Sequence, residues 1–167
     1  MKKILLFLFG FLLFYTSCDD NDGRDPSMIW DFVNYSIEFT VANTELLNDE
    51  EFLSKVQITY NGKKYIYSEE NSYPFRTRAT YCYPLAIRCY NPDYKKEAPN
   101  TILGFGEFRP DHNHKNQKFT IDWGNGRVDE IGFDIYITWR KNDPTIHKKL
   151  RVNGEERNFD DIIYIPI

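Results

Sequence analysis

Between Asn34 and Val41 the side chains alternate strictly, with Tyr35, Ile37, Phe39 and Val41 apolar and Asn34, Ser36, Glu38 and Thr40 polar. Successive side chains of an extended chain point to opposite faces, so the pattern predicts a strand with one buried face. Val56, Ile58 and Tyr60 repeat it, and Tyr65 and Tyr67 resume it beyond Asn61-Gly62. That dipeptide supplies the two left-handed positions of a type I′ turn and predicts a hairpin. Between these strands, Asn48 to Leu53 opens with a capping residue and early acids, which predicts a helical turn or two and no more.

Leu85, Ile87 and Cys89 predict a further strand after Pro84, and Thr101 to Arg109 another, in which Gly104 and Gly106 imply a bulge or a close sheet contact. Lys118 to Trp123 leads into the turn Gly124-Asn125-Gly126. Ile131, Phe133, Ile135, Ile137 and Trp139 then give the strongest alternation in the chain. Asn142-Asp143-Pro144 closes that strand, Ile146 to Val152 forms a hairpin about Asn153-Gly154, and Ile163 to Ile167 ends as a strand whose Pro166 suits a sheet edge.

Seven to nine short strands, with no helical period long enough for parallel crossovers, predict an all-β antiparallel β-sandwich, immunoglobulin-like or transthyretin-like, with at most one short helix. A small closed barrel is the alternative. Aromatic residues make up 17% of the 167-residue chain, which fits pleated, half-buried surfaces better than helices. The net charge of −4 gives no attraction for nucleic acid.

The first residues follow a different pattern. Met1-Lys2-Lys3 is positive, Ile4 to Tyr15 is an apolar run, and Tyr15-Thr16-Ser17-Cys18 forms a boundary, the three-part layout of a secretory signal. Twelve residues at 1.5 Å each reach only about 18 Å, against a hydrocarbon core of about 30 Å, so a spanning anchor is disfavoured. Cys18 after small Ser17 and Thr16 resembles a bacterial lipobox, although Tyr15 stands where leucine is usual. The acidic run Asp19-Asp20-Asn21-Asp22 resembles the export signal of Bacteroidetes-type surface lipoproteins. The likeness covers the N-terminus alone.

This resemblance implies that residues 1–17 are a signal peptide, that Cys18 is lipidated, that residues 18–26 are an acidic tether and that residues 27–167 form one domain. It further implies a membrane partner through acyl chains and display on the outer membrane, with the cell surface as the favoured face. Asp20, Asp22 and Gly23 fit part of a calcium loop, but the first ligand would be Cys18 and the last Ile29, so calcium is discarded.

Candidate chemistry in the remaining chain is sparse. Fully extended, Cys82 and Cys89 would stand about 23 Å apart, so a disulfide needs the turn that Tyr83-Pro84 offers; two buried free thiols are favoured over it. Asp111-His112-Asn113-His114, with His147 distant, gives too few ligands for a metal site and reads as an exposed loop. No Gly-x-Ser-x-Gly occurs, and Asp129 and Asp134 read as solvated turn acids. No cofactor is implied.

Eight tyrosines between Tyr60 and Tyr94 stand out. Tyrosine offers a flat apolar body with a polar tip, suited to sugar rings or protein contacts, although packing on edge strands explains most of them. The loop around Tyr73, Phe75 and Arg76 is the most suggestive, and Trp123 beside a glycine turn is expected to join it at the surface. The expected function is a membrane-anchored binding or accessory module for a glycan or protein partner. The alternatives are a hydrolase on polysaccharide or peptide, and a structural subunit of an envelope assembly.

Overall fold

A computed structural model describes residues 31–69, 84–93 and 98–167, and the backbone alone at 75–76 and 81–82. Cys18, the signal and tether residues, and Tyr73 lie outside the described residues. The main compact unit comprises Trp30–Thr138 and Thr145–Ile167; Trp139–Pro144, at the turn of one hairpin, falls in a second unit.

The main unit is an all-β sandwich with one short α-helix among the described residues. Its strands are β1 (Tyr35–Val41), β2 (Gln57–Tyr60), β3 (Lys63–Ile66), β4 (Phe75–Arg76), β5 (Tyr81–Cys82), β6 (Ala86–Tyr90), β7 (Ile102–Phe108), β8 (His114–Asp122), β9 (Val128–Arg140), β10 (Asp143–Val152), β11 (Glu155–Arg157) and β12 (Ile163–Ile165). One sheet has the order β12-β1-β7-β6 and the other β11-β10-β9-β8-β2-β3, while β4 and β5 form a separate two-stranded ribbon. Strand β12 joins β1 in parallel, a departure from the expected all-antiparallel pairing.

The alternating residues become the core. Ile37 and Phe39 of β1, Phe105 of β7, Phe119 and Ile121 of β8 and Ile131 and Phe133 of β9 are almost wholly shielded from solvent. Phe105 sits 5.0 Å from Phe119 and 5.2 Å from Tyr65 in edge-to-face contacts that join the two sheets. The helix α1 (Glu50–Lys55) starts one residue later than expected. Asp49 is its cap, accepting from the Glu51 N–H, while Asn48 bonds across to the Asn100 backbone.

Gly104 and Gly106 mark a close contact, as the sequence suggested. A Cβ on Gly106 would come within 2.5 Å of the Ser36 Cα, so no larger residue fits without moving β1. The register slips at the same place, where Tyr35 faces Phe108 but Ser36 faces Gly106. Glu107 is the extra residue and carries a strained φ of 106°. Its carboxylate is held by Arg88 at 2.8 Å and by the Asn34 amide at 2.7 Å.

Candidate functional site

Of the four residues singled out for ligand contact, Trp123 is the one whose side chain is described. Tyr73 is outside the described residues, and Phe75 and Arg76 are placed only by their backbone in β4, opposite Cys82 and Tyr81. Trp123 is a correction: its ring is fully buried and meets Phe39 edge-on at 5.9 Å. The strand period explains why, because Phe119, Ile121 and Trp123 share the inward face of the segment that runs into the turn.

The Trp123 indole instead reveals a polar lock. Its Nε1 donates to Asp129 Oδ2 at 2.8 Å, Arg127 reaches both Asp129 oxygens at 2.7 and 2.9 Å, and Asn153 Nδ2 donates to Oδ1 at 2.8 Å. Asp129 and Asp134, expected as solvated turn acids, are therefore both buried. Burial pushes the Asp129 carboxyl up, but the bonds from Arg127, Asn153 and Trp123 outweigh it and hold the acid below its usual range. Asp134 faces the other way on β9, accepting from the Asn116 N–H and from Arg151.

The histidines also part from expectation. Asp111 and His112 are exposed in a short 3-10 turn, but His114 opens β8 rather than ending a loop. Its ring lies 5.4 Å from Phe108, and its Nε2 is buried without a hydrogen-bond partner. Burial lowers its pKa, with nearby His112 adding to the effect. Cys89 is a buried free thiol pushed up to about 12 by burial, too high for a nucleophile at neutral pH. The Cys82 side chain lies outside the description.

The described tyrosines of the rich central stretch mostly pack inward. Tyr60 is buried, Tyr65 and Tyr67 lie against the core, and the Tyr90 hydroxyl bonds to Glu38. Among the described residues the exposed tyrosine is Tyr164, which lies outside that stretch and is 62% exposed.

Tyr164 lines an open cleft of about 610 Å³ between the β10–β11 hairpin and β12. Both walls are the terminal strands of their sheets. Arg127, Arg157, Glu155, Asp161, Ile162 and Tyr164 supply its chemistry. Arg127 enters it already fixed by the lock, since two of its nitrogens are committed to buried Asp129. Arg157 pairs with Glu155 at 2.6 Å, and Asp161 accepts from Asn158 Nδ2 at 2.9 Å. The sequence did carry one sign of this surface. Ile162, Ile163, Tyr164 and Ile165 are apolar on both faces, and the core takes only Ile163 and Ile165.

The fold and the groove define the chain as an all-β sandwich with an open cleft where its two sheets end. No protein-family model, curated protein or solved structure matches it.

Proposed function

We propose that this protein is a lipid-anchored module of the outer membrane, displayed at the cell surface, that binds an external glycan or protein partner in the cleft between β11 and β12. The cleft is the observation that carries the binding role. Its volume of about 610 Å³ falls within the range of small-ligand sites, roughly 300–1,000 Å³, and it combines apolar wall residues with a few fixed polar groups. Ile162 and Tyr164 remain open to solvent there although both are large and apolar.

The anchor rests on the lipobox-like Thr16-Ser17-Cys18 and the acids that follow. Acyl burial is worth about 0.8 kcal/mol per methylene, so two or three chains on Cys18 make attachment lasting where one would not. A Cys18→Ser variant should move from the detergent phase to the aqueous phase on phase separation, and protease added to intact cells should remove the wild-type domain. Wild-type protein found wholly in the aqueous phase would overturn the anchor. For the cleft, Ile162→Glu should weaken capture of whichever glycan or peptide binds by about tenfold or more. Capture that survives this change unaltered would overturn the cleft as the binding site.

A further inference from the structure

We infer that the ligand of this cleft is a neutral oligosaccharide, stacked on Tyr164 and hydrogen-bonded through its hydroxyls to Arg157 and Asp161. The inference rests on the reading of the cleft as the binding site. Three observations choose the ligand class.

The first is charge. Arg127 and Arg157 face Glu155 and Asp161 in the same cleft, and the remaining capacity of Arg127 is reduced by its bidentate pair with Asp129. With Arg127 committed to Asp129 and Arg157 paired with Glu155, an acidic ligand meets no uncommitted arginine and a basic one meets only Asp161. Sugar hydroxyls both donate and accept, so guanidinium donors beside carboxylate acceptors suit them.

The second is the aromatic wall. Tyr164 alternates with buried Ile163 and Ile165, and so stands on the face of β12 away from the core. An exposed ring with its hydroxyl at the tip offers an apolar face to the C–H side of a sugar and a polar edge to its hydroxyls.

The third is what the walls lack. Strand addition needs a long, open row of backbone donors and acceptors, yet β11 has three residues, all of them charged and exposed. Strand β12 also has three residues, and Pro166 follows at once with no N–H to give. Both edges are therefore blunted against an extended peptide, which favours a ligand held by side chains.

The test uses the full chain purified in a zwitterionic detergent that contains no sugar. Neutral hexasaccharides of glucose and of mannose, an oligomer of uronic acids and a library of extended peptides are titrated by calorimetry. A neutral hexasaccharide should bind with an affinity that barely changes between low and high salt. Tyr164→Ala should weaken that binding roughly three- to tenfold, the size of a lost aromatic contact. Arg157→Ala should weaken it as well. Both side chains are exposed, and an unchanged melting temperature in each variant separates lost contact from lost fold.

No binding by either neutral sugar would overturn the inference. So would preferred, salt-sensitive binding of the uronic acid oligomer. Peptide binding that is lost in Tyr164→Ala would overturn the sugar and leave the cleft standing. Sugar binding untouched by both variants would remove the cleft itself.

Discussion

The six-stranded sheet ends in two hairpins built on the same dipeptide, and they are held in different ways. Asn61-Gly62 joins β2 to β3 and Asn153-Gly154 joins β10 to β11, with φ values of 50°, 74°, 52° and 86°. Both glycines face open space. The difference lies in the asparagines. Asn153 exchanges backbone and side-chain hydrogen bonds with Glu130, 2.8 Å each, and donates to buried Asp129. The turn signal thus sets local geometry at both ends, while partners 23 and 24 residues away tie the second to the neighbouring strand. The cleft lies on that side.

The hardest blow to this contrast is Asp129→Ala, which leaves the Trp123 N–H without its acceptor and Arg127 without its partner. Removing one member of a buried ionic network should cost about 3–5 kcal/mol in urea denaturation. A midpoint within error of wild type would mean that the lock carries no weight. Next come the two asparagines, changed to glycine so that the left-handed backbone remains easy. Asn153→Gly should lose about 1–3 kcal/mol, whereas Asn61→Gly should stay within about 0.5 kcal/mol. Equal losses would erase the distinction between the two ends.

Acid sharpens the same contrast. The folded pKa of Asp129 lies below its unfolded value, so its stabilisation is complete above about pH 4 and is lost as pH falls below that. Denaturation curves across this range should show the Asp129→Asn variant losing less on acidification than the wild type. The smallest effect belongs to His114, also lowered in the fold and so favoured there as the neutral ring. The unfolded chain takes up its proton first, so stability declines as pH drops below about 6.5 and levels off below the folded value. His114→Phe should remove that decline, and a slope that persists in the variant would assign it to another group.

Where a strand has one wet face and one dry face, its sequence reported both. The alternation at 34–41 and at 131–139 anticipates β1 and β9, and the two Asn-Gly dipeptides mark hairpins that form. Trp123 stands beside a glycine turn that suggests exposure, yet its spacing from Phe119 and Ile121 puts it inside. The burial of Asp129 has no local signature. A buried carboxylate is recognisable only with its partners, and Asn153 is brought to it by pairing between distant strands. The cleft was hidden in the same way, since Arg127 and Tyr164 become neighbours through topology rather than through any motif.

The pairing of β12 with β1 has a kinetic consequence. Phe39 finds its neighbour in Ile163 and Val41 in Ile165, so one flank of β1 waits for a partner 124 residues further along the chain to be synthesised. Contacts so remote in sequence form slowly, because a long loop must close before any of them is gained. A nascent polypeptide released before residue 163 would keep β1 open on that side, a template for association with other unfinished chains.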